Sequence, residues 1–285
     1  MLSGFSVIAT LFTDQGEASI LEWARDHSAD GRLVTTRTDI TNDDSVVELE
    51  SFVASYVSQH EGSQLVALVN NAGIALCGPL EVQPMSQFRR QIDVNLIGHV
   101  HVAQKLIKFL RISKGRLVNV VSIAGRAAHP SMGAYAASKF AMEAITDVQR
   151  QELAPFGISV SAIEPGFIKT PLVNNAFGEL ERTWDSLLPE VSRKTLSRYI
   201  SLSIQQARQL YSRELESSKK SGSSVLSYAP HPCHGMLPAR RIHSDFLQWL
   251  TRSSTPPPRH SLKPATRSVM THSSSLSSSP GSLIE

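Results

Sequence analysis

The strongest constraint on this chain is an alternation. Short, almost wholly apolar runs rich in β-branched residues are each followed by a longer stretch with helical spacing. The runs at 5–12 (FSVIATLF), 33–40, 65–70 (LVALVN), 116–122 (RLVNVVS) and 158–164 (ISVSAIE) read as strands. Helical periodicity falls between them at roughly 16–28, 43–60, 85–112 and 133–155. Near-continuous apolar character marks strands buried on both faces, so the pattern predicts an α/β fold with a doubly wound parallel sheet. Thr41 with Asp44, ahead of Val46, Val47, Leu49 and Phe52, predicts the N-cap and apolar stripe of the second helix.

Beyond the fifth run the alternation stops. Residues 177–220 are helical in pattern, with Pro189 separating two helices, and 221–250 are poorly defined apart from one short helical run at 242–250. Residues 251–285 hold eleven Ser, five Pro and no aromatic residue, too little apolar surface to offset ordering, which predicts a disordered tail. That tail also carries Arg252, Arg259, Lys263 and Arg267 against Glu285 alone, so it supplies the whole formal charge of +3. The first 250 residues balance 24 basic against 24 acidic side chains, which gives no electrostatic footprint for nucleic acid. Cys77 and Cys233 form neither a disulfide framework nor a metal-ligand spacing, so no metal is expected and a reducing, cytoplasmic compartment is. No apolar run approaches the length of about eighteen residues that a transmembrane helix requires.

Four features stand at the carboxyl ends of successive predicted strands, where open parallel sheets place their ligands. Asn70-Asn71-Ala72-Gly73 follows the third strand, and its small residues allow close approach to the backbone. Ser122 ends the fourth, and thirteen residues beyond it stands Tyr135, with Lys139 four positions later. Pro165-Gly166 follows the fifth, with Thr170 close behind, and Asn95 lies in the middle of the helix after the Asn-Asn-Ala-Gly turn. Tyr135 and Lys139 share one helix face. An ammonium so close predicts a lowered phenol pKa, suited to proton exchange with an alcohol or carbonyl. Ser122 can hydrogen-bond the same oxygen, so the chemistry indicated is hydride transfer coupled to proton transfer. Each piece alone has a plain structural reading: a turn, a chance helical pair, or a satisfied core amide at Asn95. The joint order of the pieces favours function.

These residues carry a resemblance to the short-chain dehydrogenase/reductase family, over about 4–209 and on the motifs NNAG, DVNLIG, the serine, YAASK and EPGFIKT. The resemblance implies a Rossmann-type fold and oxidoreduction with NAD or NADP. It implies that Tyr135 is the acid/base and that Lys139 orients the nicotinamide ribose and lowers the Tyr135 pKa. Ser122 would polarise the substrate oxygen, and Asn95 would support a proton-relay water. On the coenzyme side it implies Asp39 and Ile40, Asn71, Ala72 and Gly73 around the adenosine, then Pro165, Gly166, Ile168 and Thr170 near the nicotinamide. The run EPGFIKT followed by RTWDSLLPEVSRKTLSRYI resembles the retinol and hydroxysteroid dehydrogenase branch, where it forms a lid over a lipophilic substrate. By the same resemblance, homodimers or homotetramers would pair through the helices at about 85–112 and 133–155. A domain of 1–220 with its lid at 171–220 is therefore expected.

The chain departs from the family at its front. The family's opening strand and glycine-rich phosphate loop have no counterpart, since Gly4 is the only glycine before Gly16. The resemblance places that strand between 5–12 and 65–70, so those two are expected about 9–10 Å apart, twice the usual spacing, with unpaired backbone groups. The final family strand is likewise not recognisable after Gly222. Two readings follow: an enzyme whose sequence is incomplete, or an inactive relative serving as a binding protein. Intact Ser122, Tyr135 and Lys139 favour the first. After the first strand, Thr10 to Thr13 offer neither a carboxylate for ribose nor an Arg for a 2′-phosphate, with Asp14 just beyond, and the expectation leans to NAD.

Overall fold

The computed structural model describes residues 5–27 and 30–166, with Leu172, Ala176, Gly178 and Arg182 beyond them. Apart from those four, the expected lid at 171–220, the 221–250 segment and the 251–285 tail lie outside the described residues, as do Ile168 and Thr170.

All five expected strands form, each trimmed at one or both ends: β1 (Val7–Leu11), β2 (Leu33–Arg37), β3 (Ala67–Asn70), β4 (Arg116–Val120) and β5 (Ser159–Ile163). The helices are α1 (Asp14–Asp26), α2 (Asp43–Gln59), α3 (Met85–Ile92), α4 (Gly98–Ser113) and α5 (Gly133–Leu153). Thr13 caps α1 by accepting from the Gly16 amide at 3.1 Å, and Asp14 and Glu17 load its first turn with the sign that favours the dipole. The cap of α2 is Asn42 rather than the expected Thr41; its side chain accepts from the Ser45 amide at 2.9 Å. Thr41 instead bonds back to Asp39, which makes it part of the turn before the helix. The helix expected at 85–112 is interrupted by a π-turn at Asp93–Ile97, placed around Asn95.

Every strand pair is parallel, but the sheet is in two pieces: β1 with β2, and β3-β4-β5. β1 and β3 do not pair with each other, which matches the gap expected between them. The pieces share one layer of helix instead. Val46, Leu49 and Val53 of α2 and Val102 and Leu106 of α4 are buried together, with Ile8 of β1 and Leu68 of β3 packed against the same cluster. A second core joins Leu110, Leu117, Leu153 and Val160 across α4, β4, α5 and β5. No helix of the described residues is long and apolar enough to cross a membrane.

Gly98 shows how closely the loop after β2 lies on α4. A Cβ there would stand 2.8 Å from the Ile40 carbonyl oxygen and 2.7 Å from Ile40 Cγ1. Alanine gains about 1 kcal/mol of helix propensity over glycine. A backbone oxygen cannot rotate away, however, and overpacking of this kind costs about 1–3 kcal/mol. The clash therefore outweighs the propensity gain, and Gly98→Ala lowers the urea midpoint without changing the slope of the unfolding transition.

Candidate active site

The turn after β3 leaves Asn71, Ala72 and Gly73 exposed, open to a ligand, while the segment behind them is clamped from α3 and the π-turn. Asn95, fully buried, accepts from the Ile74 amide at 2.9 Å and donates to the Ile74 carbonyl at 2.9 Å. Gln91, also fully buried and four residues earlier, does the same for Leu76, at 2.9 Å each way. Two side-chain amides thus supply the bonds a neighbouring strand would give. The Asn95 amide nitrogen also donates to Ser138 Oγ at 3.1 Å, which ties this segment to α5. The side chain of Asn95 is therefore a satisfied core amide with a positioning role.

Ser122 follows β4 at the start of a tight turn, Ile123–Gly125, and its hydroxyl accepts from the Ala124 amide at 3.1 Å. Tyr135 and Lys139 lie on α5, buried at 7% and 4% exposure. The Ser122 side chain comes close enough to the Tyr135 phenol to act on its titration, so two residues thirteen apart in sequence approach one point. Burial raises the Tyr135 pKa, and the neighbouring Ser122 side chain opposes the rise. This corrects the expected lowering by Lys139, whose ammonium sits 5.8 Å from the Tyr135 ring centroid and donates to the Val120 carbonyl at 3.0 Å. Lys139 itself is pushed down to about 8 by burial. Gly73 faces Asn95 and Lys139: a Cβ there would lie 3.4 Å from Asn95 Oδ1 and 3.9 Å from Lys139 Nζ.

Around Tyr135 the surroundings are apolar. Ala75, Cys77, Ala124 and Ala176 bury against it, with Met132 and Leu172 alongside. Burial pushes the Cys77 thiol up to about 11, so it remains a neutral wall residue. Pro165 and Gly166 lie half-buried beside the Ser122 turn, and the Pro165 carbonyl accepts from the Ile123 amide at 2.9 Å. Asp39 lies half-buried after β2, with Ile40 behind it, and one carboxylate oxygen accepts from the Thr41 amide and hydroxyl at 2.9 and 2.7 Å.

Sequence reasoning missed a buried polar belt beneath this site. Asn70 donates to Asn119 at 2.9 Å, and Asn119 donates to Thr146 and Gln149 at 2.9 Å each, joining β3, β4 and α5. The spacing of Gln91 and Asn95, four apart on one helix face, was the available signal for the clamp. His99 is buried next to the belt and held down at about 4, first by burial and then by the charge of Lys139, so it is neutral at physiological pH. Arg37 was also missed: it ends β2 and forms an ion pair with Asp14 beyond β1.

The residues present fit a nicotinamide dinucleotide on its ribose and nicotinamide side: an exposed small-residue turn, a buried ammonium beside Gly73, and a Ser–Tyr pair. The turn from β1 into α1, Phe12–Thr13, contains no glycine and offers no phosphate cradle of the glycine-rich kind. Among the described residues no group of acidic, His or Cys side chains could hold a metal ion.

A profile of the family described as short chain dehydrogenase matches residues 1–181. Retinol dehydrogenase 5 of Mus musculus is 36% identical over 191 residues, 66% of this chain and 57% of that protein. A 3beta-hydroxysteroid dehydrogenase of Caenorhabditis elegans is 36% identical over 193 residues, 66% of this chain and 50% of that protein. The chain thus spans between half and three-fifths of the length of these two relatives. The mitochondrial D-beta-hydroxybutyrate dehydrogenase of Mus musculus is 33% identical over 258 residues, 87% of this chain and 72% of its own length. Among solved structures, levodione reductase superposes with a TM-score of 0.56 at 25% identity, covering 62% of this chain and 67% of that one. NAD+-bound xylitol dehydrogenase superposes with a TM-score of 0.55 at 26% identity, covering 62% and 66%.

Lys139 carries a cost that can be measured. Its folded pKa of about 8 lies below the unfolded value of ~10.4, so the unfolded chain binds more protons between those limits and stability rises with pH across them. Below about 8 the penalty is fully present. Lys139→Met removes it at neutral pH and gains about 1–2 kcal/mol after loss of the Val120 hydrogen bond. That corresponds to a rise of about 2–4 °C in melting temperature per kcal/mol. Thermal melts at pH 7 and pH 10 check this, with the gain shrinking at the higher pH.

Proposed function

The chain belongs to the short-chain dehydrogenase family, and we propose from that premise that it is an NAD(P)-dependent oxidoreductase interconverting an alcohol and a carbonyl. The observation that carries the reading is the meeting of Ser122 and Tyr135 beside Lys139 within an apolar wall. A bound nicotinamide would supply or accept the hydride. In carbonyl reduction, the Tyr135 hydroxyl gives its proton to the substrate oxygen as hydride reaches the carbonyl carbon. In oxidation the Tyr135 oxygen, as the phenolate, takes the alcohol proton. Ser122 holds the substrate oxygen at the point where charge develops, an interaction worth about 10²–10³ in rate at comparable sites. Lys139 would hold the nicotinamide ribose, with Asn71, Ala72 and Gly73 along the adenosine side.

Ala75, Cys77, Met132, Leu172 and Ala176 present no charge near Tyr135. That wall suits a lipophilic substrate, in keeping with the retinol and hydroxysteroid names of the relatives. Arg37 is already engaged by Asp14, which weakens it as an anchor for a 2′-phosphate and supports NAD over NADP. Exposed Phe140 and Val148 on α5 support pairing of two copies through that helix.

The test is the full chain with NAD or NADP and a panel of retinoids and steroids, followed at the absorbance of the reduced nicotinamide. Tyr135→Phe is expected to abolish turnover and Ser122→Ala to reduce it about 10²–10³-fold. An unchanged rate for Tyr135→Phe refutes the assignment. Absence of both turnover and calorimetric affinity for either dinucleotide favours a non-catalytic binding role. Because Tyr135 titrates above the ordinary phenol value, oxidation is expected to speed up as pH rises into the alkaline range, and reduction to slow.

A further inference from the structure

The turn that carries Ser122 is bonded through its backbone to the β5 side: the Val121 amide donates to Ile163 at 2.7 Å and the Ile123 amide to Pro165 at 2.9 Å. On the α5 side Lys139 donates to the Val120 carbonyl at 3.0 Å just before the turn, and Gly125 packs directly on the helix. A Cβ there would stand 3.0 Å from the Lys139 carbonyl oxygen and 3.1 Å from Glu143 Cγ. The next residue, Arg126, reaches both neighbours at once. Its guanidinium donates from Nε to Glu164 Oε2 at 3.2 Å and from Nη2 to Glu164 Oε1 at 2.8 Å, a fork on one carboxylate. Nη2 also donates to Glu143 Oε2 at 3.0 Å.

The two acceptors come from the elements that flank the turn. Glu143 lies on α5, four residues past Lys139 and eight past Tyr135; Glu164 ends the β5 side, directly before Pro165. Glu143 is 7% exposed and its second oxygen has no partner, an unusual position for a carboxylate without a cation beside it. Burial and the neighbouring Glu164 hold the Glu143 pKa up at about 7 even beside Arg126, so loss of the guanidinium leaves Glu143 protonated at neutral pH and its tie to the Ser122 turn unmade.

We propose that Arg126 is a positioning residue that holds Ser122 in place beside Tyr135 by tethering the Ser122 turn to α5 through Glu143 and to β5 through Glu164. Its consequence for turnover rests on the hydride-transfer reading above; the tether itself does not. Arg126→Lys keeps the charge but loses the fork, so it restores only part of the effect.

The experiment uses the full chain with 13C-labelled tyrosine, the Tyr135 resonance being assigned with Tyr135→Phe. In Arg126→Met the tyrosinate midpoint of Tyr135 moves up by about half a pH unit or more as the Ser122 hydroxyl withdraws. The amide of Ala124, which donates to Ser122 Oγ, exchanges with solvent faster at pH 7. Glu143→Gln alone weakens the same tie and moves both readouts in the same direction, and adding it to Arg126→Met changes them little further. If Arg126→Met fails to fold, Arg126→Lys and Glu164→Gln carry the same readouts. An unchanged Tyr135 midpoint together with unchanged Ala124 exchange overturns the proposal, as does a fully additive effect of Glu143→Gln on Arg126→Met. In turnover, Arg126→Met lowers kcat about tenfold with coenzyme KM unchanged, and adds little in a Ser122→Ala background. Wild-type chain that shows no turnover defeats the enzymatic reading alone, because the titration and exchange measurements still decide on the tether.

Discussion

Most of the site depends on two side-chain amides that act as a substitute for a β-strand. Gln91 and Asn95 each offer one donor and one acceptor to a single backbone residue, Leu76 and Ile74. A buried extended segment with unpaired peptide groups would be costly. The two amides remove that cost and at the same time fix the segment's height above α3 and the π-turn. The exposed Asn71–Gly73 turn precedes this clamped segment, and the apolar wall residues Ala75 and Cys77 lie within or next to it. The Asn95 bond to Ser138 then carries the same reference point into α5, where Tyr135 and Lys139 stand. One pair of clamps therefore registers the exposed Asn71–Gly73 turn, the apolar wall and α5 against each other.

The π-turn around Asn95 belongs to the same logic. A regular α-helix through 85–112 would place Gln91 and Asn95 on the same face at one fixed angle. The wider turn gives local freedom to aim the Asn95 amide at Ile74 while α4 continues toward the core. This feature could not be read from residue spacing, because Asp93-Val94-Asn95-Leu96-Ile97 has ordinary helical character. The sequence periodicity reported a single helix, and only the hydrogen-bond pattern distinguishes the two.

Elsewhere the residues were informative in proportion to how local their reasons are. The five strands were legible from apolar, β-branched runs, but the expected burial on both faces fails for β1, which holds no buried residue, and for β3, where Val69 is exposed. The Tyr135–Lys139 face followed from helix geometry, and the split between β1 and β3 from the family's strand order. What escaped were contacts between residues distant in sequence. Asn70, Asn119, Thr146 and Gln149 look like scattered polar residues until β3, β4 and α5 bring them into one belt. The phenol pKa was misjudged for a similar reason. Helical spacing gives the proximity of an ammonium, but the phenol is raised by desolvation, which depends on Ala75, Cys77, Ala124 and Ala176 closing around the ring.

The break in the sheet has a mechanical meaning. Within β3-β4-β5, sliding one strand past another would tear a ladder of hydrogen bonds, so that piece is stiff along the strand direction. Between β1 and β3 there is no such ladder, and the coupling runs through Ile8 and Leu68 against the shared face of α2 and α4. Apolar contacts resist separation but have little preference for register. The β1–β2 piece therefore takes its place from the shared helix face and from the seat of Ile40 on Gly98, so its register rests on shape rather than on a strand ladder.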